Sequence, residues 1–231
     1  MQKRLRNAWY ISLPIGAKGS ATNRTVILLL VLAGLAYSLF ISAYLSPYAA
    51  GADSSGYLNF ARFLTHGQVL APVRALPGYA VTVFGEGTYQ PQGFSVRNDS
   101  GFMSPTYPVG FPLHLTLAAW LAGSMGRAVA IVNILGALGA GALLYASCRH
   151  LTLKPAWAAA ATGALWFCPF FLHSALQPMS DLLATTWALA TLYAAMRARE
   201  RMWWTIICGA ACVRPLRTED WKPFRSIVAT Q

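Results

Sequence analysis

Seven acidic residues occur among 231: Asp53, Glu86, Asp99, Asp181, Glu200, Glu219 and Asp220. Two of them stand where chemistry is expected. Asp53, in GADSSGYLNFARFLTHG (51–67), follows an apolar run covering 25–45, and Asp181, in HSALQPMSDLL, falls between two further apolar runs. An acid at the depth of a membrane helix is costly to keep, so its presence is by default a functional-site expectation. The chemistry a positioned carboxylate offers is proton transfer to or from a reacting group. A structural role is open to each as well. Asp53 can cap a helix beginning at Ser54, and Asp181 can sit in the first turn of a helix that includes Met179. Glu86 and Asp99 read as solvated loop charges. His114 and His173 read as hydrogen-bonding groups at a membrane interface, not as metal ligands.

The rest of the composition agrees with a membrane setting. Hydrophobic residues make up 56% of the chain and charged ones 11%, far too few charges for a soluble domain of this length. The formal charge of +11 lies in short basic clusters between apolar runs. That is the pattern of orientation charge in a membrane protein and argues against nucleic-acid binding. Cys148, Cys168, Cys208 and Cys212 show no zinc-site spacing and read as small packing residues.

Hydropathy then lays out the elements that must position the two acids. Lys3, Arg4, Arg6, Lys18 and Arg24 precede an apolar run of 21 residues, longer than a signal core and long enough to span. A weak cleavage-like stretch, PYAAGADS, follows it, and the long core favours a retained anchor. Expected spans are 25–45, 127–147, 156–175 and 179–196, with a partial one at 202–213. The segment 107–123, YPVGFPLHLTLAAWLAG, decides the topology. If it spanned, Arg149, His150, Lys154, Arg197, Arg199 and Arg201 would all face outward. If it lies along the outer interface or re-enters, every basic cluster falls inside, in keeping with the positive-inside rule.

The expected fold is therefore all-α, a polytopic transmembrane helical bundle with a long outer loop, 46–126, carrying interfacial amphipathic helices. One lies near 54–66, where Tyr57, Phe60, Ala61 and Leu64 make an apolar stripe suited to the headgroup layer. The other lies near 112–121, and 72–106 between them reads as irregular. Residues 1–24 form a cytoplasmic basic N-terminus, 25–213 the membrane domain and 214–231 a polar basic tail. In NILGALGAGALLYA, Gly136 with Ala140 and Ala137 with Gly141 put small residues four apart, as close helix packing requires. The localisation that follows is a multi-pass protein of the plasma (inner) membrane with a cytoplasmic N-terminus.

The order of these segments resembles the N-terminal portion of GT-C-type membrane glycosyltransferases. The branch is that of protein O-mannosyltransferases and lipid A aminoarabinose transferases. The resemblance runs from about residue 20 to Pro215. It rests on a first helix, GADSSGYLNFARFLTHG, YPVGFPLHLTLAAWLAG, a Gly/Ala-rich helix ending YASCRH, then ALQPMSDLLATTWALATLYAAMRARERMWW and GAACVRP. It implies transfer of a sugar from a polyprenyl-phosphate donor on the outer side of the membrane. Asp53 matches the family's catalytic carboxylate after the first helix, and Asp181 matches a further acid in the second outer loop. Gln177-Pro178 stands where some relatives carry an acid before proline, so no role is carried over to Gln177. Asp53 would take the acceptor's proton, and cations would stabilise the departing phosphate. Arg62, Arg74 and Arg97 are available for that. Tyr57, Arg62, Arg97 and Tyr107 form the candidate substrate-binding set. Expected partners are the lipid-linked sugar donor and membrane lipids, with no nucleic acid. No cofactor is called for, and a divalent metal is compatible with the pattern without being indicated by it.

Full-length relatives continue with further spanning helices. Here the apolar stretch beginning at Met202 stops after about a dozen residues, about 18 Å of helix against a hydrocarbon core of roughly 30 Å. VRPLRTEDWKPFRSIVATQ then follows. That tail reads as the product of a truncation or frame shift, the other reading being a short peripheral helix with a cytosolic tail. Two other functional classes stay open: a non-catalytic membrane subunit or inactive fragment, and a piece of a transporter. Transporters place ionisable groups and broken helices near mid-membrane, which these terminal acids do not match.

Overall fold

The computed structural model describes residues 21–73, 77–78, 88, 90–96 and 101–197. The basic N-terminus before residue 21, the partial span 202–213, the tail 214–231, and Arg74, Glu86, Arg97 and Asp99 lie outside the described residues.

Helix α1, Ala21–Tyr44, is rich in Leu, Ile, Val and Ala and has no proline. Its two serine hydroxyls turn back onto the helix: Ser38 Oγ donates to the Gly34 carbonyl at 2.8 Å and Ser42 Oγ to the Ser38 carbonyl at 2.9 Å. Leu28, Leu29, Val31, Leu32, Leu35 and Leu39 are all exposed on it. An exposed surface so uniformly apolar suits lipid and not water. Helix α4, Met125–His150, starts at Ser124, whose hydroxyl accepts the Arg127 amide at 3.3 Å. Residues Asn23–Tyr44 of α1 and all of α4 are long and apolar enough to cross a membrane. At 1.5 Å per residue they rise about 33 and 39 Å.

The expected span 156–175 is instead two helices, α5 (Pro155–Trp166) and α6 (Pro169–Ala175), bent by 62°. Pro169 lacks the amide that would continue the ladder, and it forces Cys168 into an extended conformation (φ −60°, ψ 122°). Cys168 is consequently exposed at the bend and not packed inside a helix bundle. Helix α7, Ser180–Arg197, occupies the expected span 179–196. With Asp181, three threonines and Arg197 in 18 residues, it is not among the helices apolar enough to cross. Two helices reach that mark, or three if α5 and α6 make one broken span.

Helix α2, Ala52–Thr65, forms where the apolar periodicity places it, and α3, Gly110–Ala122, covers the helix expected near 112–121. Their environment differs from the expectation. The stripe on α2 faces protein: Tyr57 and Ala61 pack with Phe111, Leu115 and Ala119 of α3 and with Val129 and Val132 of α4. Thr116 Oγ1 reaches the Ala61 carbonyl at 3.2 Å, joining the two helices. Phe60 packs with Ala71, Phe94 and Met103, and Leu64 lies beside them. Those residues belong to a small antiparallel sheet of order β1-β3-β2, made of β1 (Ala71–Pro72), β2 (Phe94–Val96) and β3 (Phe102–Pro105). Ala71 pairs with Met103 and Phe94 with Pro105. The molecule is mostly helical, not purely so, and 72–106 is not wholly irregular.

The small-residue stripe of α4 does what its spacing implies. Thr186 Oγ1 of α7 donates to the Gly136 carbonyl at 2.8 Å, and a Cβ on Gly139 would stand 3.2 Å from the Thr186 methyl. On the neighbouring face the Trp166 ring covers Gly141 so closely that a Cβ there would lie 2.7 Å from it, while Trp166 Nε1 donates to the Ala137 carbonyl at 3.0 Å.

These contacts give the bundle two unlike ends. Tyr145 of α4 donates to Asn23 of α1 at 3.3 Å and Leu138 lies against Gly34, so those two helices run antiparallel. His150 and Tyr193 rings lie 6.5 Å apart, which brings the C-terminus of α7 to the same end. Arg24, Arg149, Lys154 and Arg197 gather there. At the other end the Ser46 amide, just past α1, donates to the Leu176 carbonyl at 3.0 Å. That end holds α2, α3, the sheet and the start of α7, and with them both described acids.

Candidate carboxylate site

Helix α2 begins at a glycine cap, and the capping is done by Ser54. Its Oγ accepts the Ala50 and Gly51 amides, both at 3.0 Å, and donates to the Gly51 carbonyl at 3.2 Å. Asp53 is thereby spared the capping role that was open to it. It stays in the first turn, exposed, where the helix dipole favours a negative charge. One turn on, Gly56 and Tyr57 share its face of the helix.

Tyr107 lies across that face. Its hydroxyl donates to Asp53 Oδ1, and its ring tilts against Tyr57 with centroids 5.0 Å apart. The approach requires glycine. A Cβ on Gly56 would sit 2.7 Å from Tyr107 Cε2, and one on Gly93, at φ +89°, 2.8 Å from the Gly56 nitrogen. The Thr106 amide donates to the Gly93 carbonyl at 3.1 Å, so the sheet, Gly93 and Gly56 together set Tyr107 over Asp53.

Tyr57 is buried, edge-on to Phe111 at 5.4 Å, and its hydroxyl shares a 2.8 Å hydrogen bond with Ser180. Ser180 opens α7 and is followed by Asp181, exposed in its first turn. The start of α7 is held by Asn133 of α4, fully buried, whose Nδ2 donates to the carbonyls of Ala175 at 3.0 Å and Gln177 at 2.7 Å.

The phenols register both acids. Burial raises the Tyr57 pKa above its ordinary 10, the Ser180 bond lowers it, and the charges of Asp53 and Asp181 raise it again. Tyr107 is raised first by its hydrogen bond to Asp53, then by burial, then by the Asp53 charge and the neighbouring phenol of Tyr57. Both phenols are therefore neutral at physiological pH, and Tyr107 donates to Asp53. Asp53 keeps one oxygen on Tyr107, and Oδ2 makes no hydrogen bond among the described residues. A carboxylate so held can accept a proton from a group brought up to its open side.

Of the residues singled out in the sequence, Asp53, Tyr57, Tyr107 and Asp181 come together. Arg62 does not. It is exposed in the last turn of α2, bonded to Asn59 at 3.3 Å and about 13 Å along the helix from Asp53. Arg97 lies outside the described residues. His114 bonds the Gly110 carbonyl at 2.8 Å, as a hydrogen-bonding role requires. Ser180, Asn133, Gly56 and Gly93 were not singled out as site residues. Asn133, a lone amide inside an apolar run, carried the only signal legible without the fold. Among the described residues no group of three or more His, Cys, Asp or Glu gathers as metal ligands. No protein-family model, curated protein or solved structure matches the chain.

Proposed function

We propose that the chain is part of a membrane glycosyltransferase that moves a sugar from a polyprenyl-phosphate donor to an acceptor, with Asp53 as general base. The observation that carries the reading is the arrangement around Tyr57. Its phenol feels both carboxylates, and Tyr107 fixes Asp53 beside it. In the step, the acceptor oxygen or nitrogen forms a bond to the sugar's anomeric carbon, and the bond from that carbon to the lipid phosphate breaks. The acceptor's proton passes to Asp53 Oδ2, and the polyprenyl phosphate leaves. Tyr107 acts as a positioning residue, since its hydroxyl is committed to the carboxylate. Asp181 completes the pair of acids, and Ser180 ties its turn to Tyr57. The basic end faces the cytoplasm and the carboxylate end the outside, as the positive-inside rule favours for Arg149 and Lys154.

The test is made on membranes containing the full chain, supplied with radiolabelled polyprenyl-phosphate mannose or aminoarabinose. Label moving from the lipid-extractable to the non-extractable fraction measures transfer. Asp53→Asn lowers the rate by about 10²–10⁴-fold, the range for a lost general base, without loss of protein from the membrane. Transfer unchanged in Asp53→Asn refutes the reading, and transfer absent from the wild-type chain with both donors assigns the chain to the inactive-fragment class instead.

A further inference from the structure

An open groove of about 460 Å³ lies between α1, α4 and α5, away from the carboxylate site. Ile27, Gly34, Leu138, Tyr145, Thr162 and Trp166 line it. Its polar side chains are already engaged: Thr162 with the Ala158 carbonyl at 3.0 Å, Trp166 with Ala137, and Tyr145 with Asn23. What the groove presents is therefore apolar.

Each of the three helices carries a cation just beyond the groove, all toward one end. Arg24 is three residues before Ile27, about 4.5 Å along α1. Arg149 is four residues after Tyr145, about 6 Å along α4. Lys154 stands at the cap of α5, eight residues before Thr162 and about 12 Å from it. The Tyr145–Asn23 hydrogen bond sets the start of α1 level with the end of α4. All three cations are exposed. Arg149 gives one N–H to the Leu153 carbonyl and keeps the rest of its fork. Both described acids are at the opposite end of the bundle, so no carboxylate among the described residues neutralises the three.

We propose that this groove is a binding site for an anionic phospholipid, one acyl chain lying between α1, α4 and α5 and the phosphate among Arg24, Arg149 and Lys154. Charge complementarity selects this occupant. A zwitterionic headgroup would set its own cation beside the three. A second copy of the chain, packed in parallel, would bring further basic residues to the same level. The proposal goes beyond the transferase reading and does not depend on it.

The full chain, purified in mild detergent, is mixed with phosphatidylglycerol or phosphatidylcholine of the same acyl composition, and retained lipid is read by native mass spectrometry. One phosphatidylglycerol is expected to stay bound, preferred by about tenfold or more over phosphatidylcholine. The triple variant Arg24→Ala, Arg149→Ala, Lys154→Ala removes three exposed side chains and is expected to hold both lipids equally. Ala142→Trp, at another position lining the groove, is expected to lose both. Equal retention by the wild-type chain overturns the proposal, as does a preference that survives the triple variant. A lipid-free dimer that becomes a monomer in Ala142→Trp assigns the groove to a second copy and overturns it too. If Ala142→Trp loses its helical circular dichroism, the triple variant alone decides.

Discussion

Tyr107→Phe deletes one hydroxyl and leaves the ring that packs on Tyr57. The Asp53 carboxylate then loses its only described hydrogen-bond donor and swings freely. Sugar transfer is expected to fall about tenfold, less than in Asp53→Asn, because a misplaced base still works part of the time. Transfer assays on the two variants side by side check this, and equal losses would give Tyr107 a role beyond positioning. Alkaline titration reads the same cluster. Tyr57 and Tyr107 both ionise above the ordinary pH 10, so the folded state favours the protonated phenols. Their contribution to stability is complete below pH 10 and is lost as pH rises through the raised values. Ser180→Ala removes the one influence that lowers the Tyr57 pKa and is expected to move its ultraviolet phenolate transition further upward. A downward shift would contradict the assignment. The acids themselves were legible in the sequence, because so few exist and two adjoin apolar runs. Tyr57 and Tyr107 were legible as candidate binding residues, but their pairing with Ser180 and Asp53 was not. Tyr107 is 54 residues from Asp53 and Ser180 is 123 from Tyr57, and no local pattern joins residues so far apart.

At the scale of elements, the carboxylate site depends on backbones that approach without side chains between them. Gly56→Ala pushes a methyl into the Tyr107 ring, which must leave Asp53 or force α2 away from the sheet. Overpacking of this kind costs about 1–3 kcal/mol. Thermal unfolding in detergent measures that cost, and transfer is expected to drop at least as far as in Tyr107→Phe. Wild-type transfer in Gly56→Ala would mean that the ring has room that the contact distances deny. Asn133→Leu tests the other support. It leaves the Ala175 and Gln177 carbonyls short of a buried donor, a loss of about 1–3 kcal/mol, and loosens the start of α7 that carries Asp181. The α3 helix was found as an apolar segment too short and proline-rich to be an ordinary span, and periodicity found α2 because a helix of 14 residues repeats its pattern several times. Strands of two to four residues do not, so the sheet left no trace of alternation. The stripe on α2 was also visible, but an apolar stripe looks the same whether it meets lipid or another helix. Only packing separates the two, and here Phe111, Leu115 and Phe94 fill that face.

For the whole molecule, the separation of charge between the two ends is the feature that a membrane would act upon. The antiparallel course of α1 and α4 puts Arg24 and Arg149 at one end and Asp53 at the other, and on the proposed topology the short α3 reverses the chain without crossing. A helix of 13 residues rises about 20 Å, well under a hydrocarbon core of roughly 30 Å. Cysteine labelling tests this directly. Gln68→Cys sits in the turn after α2, next to exposed Val69, and Lys154→Cys sits between α4 and α5. A membrane-impermeant maleimide on intact cells is expected to label Gln68→Cys above the background of the parent chain's own cysteines. Lys154→Cys is expected to react only after the membrane is opened. The reverse pattern would keep the bundle and invert it, turning Asp53 toward the cytoplasm and away from any donor presented outside. Labelling of both from one side would take α4 out of the bilayer, and with it the reason for a groove closed by lipid. The basic clusters alone already separated two topologies by the path of residues 107–123. In α3, Leu115, Ala118 and Ala119 are spent on protein, leaving one exposed apolar face of Leu113, Leu117, Trp120 and Leu121, and the labelling pattern decides whether that face lies along the membrane.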